Sequence, residues 1–171
     1  MPHKTQIIIG DKGSGKTTAI NTILKALRAE NIEHAGFKTY FDDEKTLRLK
    51  WINLVYPDMI MGRKTGSRSL KPSFEALDLI GERLIEVDFV NKIFIADEIG
   101  FLESFSRLMQ EGILRSIKRA SYACYSIKAE NYPFLAYLKN MDGVQITRLD
   151  NFNRKKIETV IARIIDSFKK D

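Results

Sequence analysis

Apolar and polar positions along the chain mark out alternating strands and helices. Gln6 to Ile9 is a short β-branched run that ends at Gly10 and predicts a buried strand. From Lys16 onward the apolar positions are Ala19, Ile20, Ile23, Leu24 and Leu27, the spacing of one helical stripe. AGFKTYF, the acidic cluster Asp42, Asp43 and Glu44, and TLRLKWINLVY then follow. Leu47, Leu49 and Trp51 alternate there with Arg48 and Lys50, which predicts a β-hairpin with one polar face. Met61 to Pro72, MGRKTGSRSLKP, has no period and reads as a mobile loop, before a helix that starts near Pro72 and Ser73 and carries Phe74, Leu77 and Leu84.

The second half repeats the alternation. Lys92 to Ala96, KIFIA, is another apolar run, closed by Asp97 and Glu98. A helix is expected from about Ser104 to Arg119 with Phe105, Leu108, Met109 and Ile113 on one side. A strand near Ser121 to Ile127, a short helix after Pro133 and a strand near Val144 to Leu149 come next. The last helix shows Ile157, Val160, Ile161, Ile164, Ile165 and Phe168, the clearest amphipathic pattern in the chain. Strands alternating with helices imply an α/β domain with a mostly parallel central sheet flanked by helices, and such sheets bind ligands at the carboxyl ends of their strands.

With 171 residues, 44% of them hydrophobic, the chain is expected to form one domain over 1–171 with a sizeable core. A net charge of +6, from 28 Lys and Arg against 22 Asp and Glu, favours anionic partners without choosing among nucleotides, nucleic acid and acidic lipid. The single cysteine, Cys124, excludes a disulfide framework and a cysteine-based zinc site, and reads as a small buried residue in its strand. His3 and His34 are too few and too far apart for a histidine metal site. No segment approaches the ~20 apolar residues that span a bilayer, and the N-terminus lacks a signal-peptide core. A soluble, cytoplasmic protein without a membrane partner is expected.

Gly10, Asp11, Lys12, Gly13, Ser14, Gly15, Lys16 and Thr17 satisfy G-x-x-x-x-G-K-[ST] between a predicted strand and a predicted helix. The glycines let successive N–H groups point at phosphate oxygens, and the helix start adds the positive end of its dipole. In such a loop Lys16 reaches the β- and γ-phosphates and Thr17 gives its hydroxyl to Mg²⁺, with Thr18 next in the cradle. The metal also needs a carboxylate at the end of a neighbouring hydrophobic strand, and Asp97, about 80 residues on, is the best placed. Glu98 follows it, where a carboxylate can polarise a water lined up on the γ-phosphate.

Other features are less decided. Glu103 reads first as an acid favourable at a helix start, and second as another acid near the site. Between Gly62 and Lys71 lie Arg63, Lys64, Arg68 and Lys71 with no acid among them. This basic loop is open to three readings: a lid with a charge-neutralising arginine, a solvated surface, or a patch for nucleic-acid phosphates. Asn153 and Arg154 fit a cap and helix start, and also lie where a loop at the strand ends could touch a base.

GDKGSGKTT, HAGFKT, DEIGFLE and ITRLDNFNR together resemble the small P-loop nucleoside-triphosphatase family first known from thermophiles, over most of the chain. DEIG with Leu102 and Glu103 is the most specific part. The resemblance implies a three-layer P-loop NTPase fold with a β-hairpin extension, and Mg²⁺-dependent hydrolysis of ATP, GTP and other nucleoside triphosphates with loose base preference. By position, Gly10, Gly13, Gly15, Lys16, Thr17 and Thr18 match the family's phosphate loop, and Asp97 and Glu98 its acidic pair. The chain departs from the family at Asp11 and Lys12, where prolines are common, and over Asp43 to Lys71. Two alternatives share the cradle: a P-loop kinase that passes the γ-phosphate to a small molecule, and an ATP-binding regulatory module. Nucleic acid stands behind the nucleotide as a partner.

Overall fold

The computed structural model describes residues 5–169. His3, one of the two histidines weighed above, lies outside them. Eight strands form one sheet: β1 (Thr5–Gly10), β2 (His34–Phe41), β3 (Thr46–Ile52), β4 (Met59–Lys64), β5 (Leu70–Pro72), β6 (Ile93–Ile99), β7 (Tyr122–Lys128) and β8 (Val144–Arg148). Their order across the sheet is β5-β4-β3-β2-β6-β7-β1-β8. The pairings from β2 through β8 are parallel and those from β2 out to β5 are antiparallel. The helices are α1 (Lys16–Ala29), α2 (Phe74–Glu86), α3 (Arg107–Arg119), α4 (Pro133–Lys139) and α5 (Arg154–Lys169), with a 3-10 turn at Leu102–Phe105.

Strand alternation divides the core between two faces. Ile7 and Ile9 of β1, Phe94 and Ala96 of β6 and Tyr125 of β7 pack with residues of α2, α3 and α4. Their neighbours Ile8, Ile93, Ile95 and Cys124 pack with α1 and α5. Because successive side chains of a strand point to opposite faces, strands with apolar residues at every position need a helical layer on each side. The three-layer architecture follows from those unbroken apolar runs.

The expected hairpin is β2–β3. Its turn is held by Asp42, whose Oδ1 accepts the Glu44 and Thr46 N–H groups at 3.0 and 2.9 Å and whose Oδ2 pairs with Arg48 at 2.6 Å. The mobile loop expected over Met61 to Pro72 is corrected: most of it is a second hairpin, β4–β5, with only 65–69 left as its tip. Gly62 interrupts the alternation of this short edge, and β3 slips register against β4 between Leu47 and Arg48, so no period-2 signal survives in the sequence. The helix expected from Ser104 begins at Arg107, because Ser106 caps it by accepting the Met109 N–H at 3.0 Å. Phe105 therefore falls in the 3-10 turn and is exposed, as is Phe74 at the first position of α2, and the two rings meet edge to face.

The acid-bearing strand is also not β1's neighbour. β7 lies between β1 and β6, so its carboxyl end enters the space between the glycine loop and the acids. This inserted strand brings functional groups of its own.

Helices α2 and α3 cross at two glycines. A Cβ on Gly81 would stand 2.3 Å from the backbone C and O of Leu108, and one on Gly112 2.6 Å from the Gly81 carbonyl oxygen. Alanine in place of a helical glycine gains about 0.5–1 kcal/mol from the unfolded chain, whereas forcing backbone apart in a packed core costs about 1–3 kcal/mol. Gly81→Ala should therefore lower stability, seen as a lower denaturant midpoint, and an unchanged or raised midpoint would refute this close packing.

Candidate active site

Gly10 closes β1 and Lys16 opens α1, so the glycine loop spans a strand end and a helix start. Gly15 has φ 93°, in the left-handed region that favours glycine. A Cβ on Gly15 would also stand 2.8 Å from Phe152, in the loop after β8. At Gly10 a Cβ would lie 2.1 Å from the Ser14 hydroxyl, which is buried and has no hydrogen-bond partner among the described residues. Lys16 is 5% exposed, and its ammonium donates to the Gly10 and Asp11 carbonyls at 2.9 Å each. Asp11, Lys12, Gly13, Thr17 and Thr18 complete the loop and the first turn of α1, and a side chain added at Gly13 would meet open space.

Across the loop, Asp97 and Glu98 end β6 at a bulge. Ala96 faces Tyr125 and Ile99 faces Ile127, so Asp97 and Glu98 together oppose the single residue Ser126. The Ser126 hydroxyl donates to Asp97 Oδ1 at 2.8 Å and accepts the Glu98 N–H at 2.8 Å. Asp97 is 1% exposed. Burial pushes its carboxyl above the usual range, opposed by the hydrogen bond from Ser126 and by the nearby Thr17 hydroxyl. Thr17 and Asp97, far apart in sequence, are thus brought close together. Lys38 on β2 lies within their field: burial lowers its ammonium, Asp97 raises it, and it donates to Asn21 of α1.

Glu98 has φ 69°, a conformation that costs a non-glycine residue about 1–3 kcal/mol and persists only where its surroundings enforce it. Its carboxylate pairs with Lys128, at the end of β7, at 3.1 Å, and both side chains are about one third exposed. Beyond it opens a cavity of about 290 Å³, lined on one side by Lys12, Glu98 and Lys128 and on the other by Lys64 and Arg68 of the second hairpin. Arg63 and Lys71, the other cations of the expected basic loop, do not line it.

Glu103 fits the positions both of its readings give it, and lines the cavity with Glu98. It stands at a helical start, that of the 3-10 turn, but it is 1% exposed and its Oε2 accepts the Gly100 N–H at 2.8 Å, closing the DEIG turn from within. Burial raises its carboxyl to about 7. Cys124 is buried, its thiol pushed up to about 12 by that burial, as suits an inert core residue. Asn153 caps α5 by accepting the Lys156 N–H at 3.1 Å. Ser126, Lys128 and Lys38 were missed in the sequence. The available signal for the first two was YACYSIK, an apolar run whose final residues turn polar where strand ends carry function.

A glycine loop on a parallel strand, facing a buried acid two strands away in a three-layer α/β fold, defines a P-loop protein that handles triphosphates. The chain belongs to the NTPase family, whose model matches residues 5–162. It is 28% identical over 169 residues to the nucleoside-triphosphatase THEP1 of Thermotoga maritima, covering 93% of this chain and 94% of that one. The same identity and coverage hold for THEP1 of Thermotoga sp. strain RQ2. In fold it is similar to the crystal structure of THEP1 from Aquifex aeolicus, with a TM-score of 0.74, 20% identity and coverage of 94% of this chain and 98% of the other. It is also similar to the solution structure of a human cancer-related nucleoside triphosphatase, with a TM-score of 0.71, 16% identity and 98% coverage of both. None of the described helices is long and apolar enough to cross a membrane.

The buried Glu103 makes stability depend on pH. A carboxyl with a folded value of about 7 against 4.5 for the ordinary group binds its proton more tightly in the folded state. Its contribution is fully present below the lower value and is lost as pH rises through the higher one. Glu103→Gln keeps an acceptor for the Gly100 N–H and removes the titration. Wild type should lose roughly 3 kcal/mol relative to this variant across that window, read as the difference in unfolding free energy at each pH. A difference that stays constant with pH would contradict the buried titration.

Proposed function

We propose that residues 1–171 work as one domain that hydrolyses ATP, GTP and other nucleoside triphosphates to the diphosphate and phosphate, with Mg²⁺ as cofactor. The observation that carries this reading is the bulge at the end of β6. One serine orients two consecutive acids, Asp97 toward Thr17 of the glycine loop and Glu98 toward the cavity beyond it.

The residues fit a divalent cation. Asp97 is a buried carboxyl bonded to the neutral Ser126 hydroxyl with the Thr17 hydroxyl nearby, so its charge lacks a bonded cation. Among the described residues no cluster of three or more His, Cys, Asp and Glu side chains forms an all-protein cage. One carboxylate, one hydroxyl and phosphate oxygens make the donor set Mg²⁺ commonly uses. Thr17 and Asp97 would hold the ion, and when bound it neutralises charge on the β- and γ-phosphate oxygens.

This chain's own groups do the rest. Lys16 is poised on the Gly10 and Asp11 carbonyls, bonds that phosphate oxygens would replace. The start of α1 directs N–H groups at the same charge. Glu98 accepts a hydrogen bond from the attacking water and aligns it with the γ-phosphorus, while Lys128 holds its carboxylate in place. The backbone and Cβ of Phe152 lie close to Gly15 beside the cradle and its side chain is exposed, so its ring would be available to a base, and stacking of that kind suits several bases. A single buried cysteine, with no second one to pair with, fits a cytoplasmic setting.

Phosphate release from ATP, GTP, CTP and UTP with Mg²⁺ tests the proposal. Wild type should release phosphate without any added acceptor. Glu98→Gln should bind nucleotide as wild type does and lose about 10²-fold or more in turnover, whereas Lys16→Ala should weaken binding itself. Wild-type turnover in Glu98→Gln would remove the acid from the chemistry.

A further inference from the structure

Hydrolysis spreads negative charge over the γ-phosphoryl oxygens. Lys16, the start of α1 and the Thr17–Asp97 pair lie on the cradle side of that group, and the far side opens into the 290 Å³ cavity, which is much larger than the ~30 Å³ share of one water. The opposite wall of this cavity is the tip of the β4–β5 hairpin.

We propose that Arg68, at this tip, is a catalytic residue supplied by the chain itself, which touches the γ-phosphate oxygens and neutralises the charge that builds up in the transition state. The assignment rests on the hydrolase reading above. Four cations line the cavity, two of them have partners of their own, and a third lies on the cradle side. Lys12 belongs to the glycine loop, Lys128 is paired with Glu98 at 3.1 Å, and Lys64 lies over the Phe41 ring at 4.5 Å. Arg68 has neither an ion pair nor a side-chain hydrogen bond among the described residues. Of the remaining basic residues of this segment, Arg63 is turned to the Thr46 hydroxyl at 3.3 Å and Lys71 stands on β5 away from the cavity.

The tip is built to present that side chain. The Thr65 N–H donates to the Ser69 carbonyl at 3.1 Å and the Thr65 and Ser69 hydroxyls meet at 2.8 Å, so the loop is clasped at its base. The Lys64 N–H donates to the Lys45 carbonyl at 3.1 Å, tying this hairpin to the turn of the first. Gly66, Ser67 and Ser69 are small, which leaves Arg68 as the one long side chain on the tip facing the site. A guanidinium is permanently charged and offers a planar fork to phosphoryl oxygens, whereas lysine is a point charge.

The test compares wild type, Arg68→Ala, Arg68→Lys and Arg63→Ala for kcat, KM and binding of ADP with and without Mg²⁺ and aluminium fluoride. Arg68→Ala should lower kcat by roughly 10³-fold at unchanged KM. It should bind ADP as wild type does and fail to gain affinity when aluminium fluoride is added. Arg68→Lys should recover little of the rate, and Arg63→Ala should retain it. Unchanged kcat in Arg68→Ala overturns this assignment alone, as does a loss confined to KM or an equal loss in Arg63→Ala. Absent phosphate release from wild type would remove the proposed function and this assignment together.

Discussion

The oxygen of Ser126 accepts the backbone N–H of Glu98 and donates to the carboxylate of Asp97, both at 2.8 Å, and the geometry of the site depends on this pair of bonds. β6 and β7 run in register up to Ala96 and Tyr125 and regain pairing at Ile99 and Ile127. Between those points two residues oppose one, and the unpaired backbone would go unsatisfied without the serine hydroxyl. The bond holds Glu98 in a left-handed conformation that costs about 1–3 kcal/mol. In a regular strand Asp97 and Glu98 would point to opposite faces of the sheet. The bulge lets one serve Thr17 and the other face the cavity.

A second constraint is that the charges on the cradle side of the site have partners within the protein itself. Lys16 rests on two carbonyls, Glu98 on Lys128, and Asp97 on the Ser126 hydroxyl. Triphosphate and its metal would therefore exchange one set of partners for another, so the net gain on binding is smaller than the gross charge suggests. Burying an unpaired ion costs more than either arrangement, which explains why a site that must hold Asp97 nearly out of solvent also surrounds it with donors.

Much of this was legible in the sequence where chemistry and local pattern coincide. IIIGDKGSGKTT shows a strand, a phosphate-binding turn and a helix in one stretch, because the glycines, the lysine and the threonine each answer a local steric or charge requirement. KIFIADE shows its acids because they end an apolar run. The second hairpin did not show, since Gly62 and the slip at Leu47 and Arg48 break its alternation and its edge strands bury little. Ser126 and Lys128 were hidden for another reason: their role depends on β7 being inserted between β1 and β6, and strand order is a tertiary fact. Glu103 looked like a surface acid at a helix start because nothing local signals that the DEIG turn would close over it.

The central claim is that this arrangement delivers the γ-phosphoryl group to water, with attack at the γ- and not the β-phosphorus. Hydrolysis of ATP under single-turnover conditions in heavy-oxygen water, with mass spectrometry of both products, tests it most directly. The account predicts one heavy oxygen in the released phosphate and none in the diphosphate. Heavy oxygen in the β-phosphate of the ADP, or phosphate released without label, would contradict it.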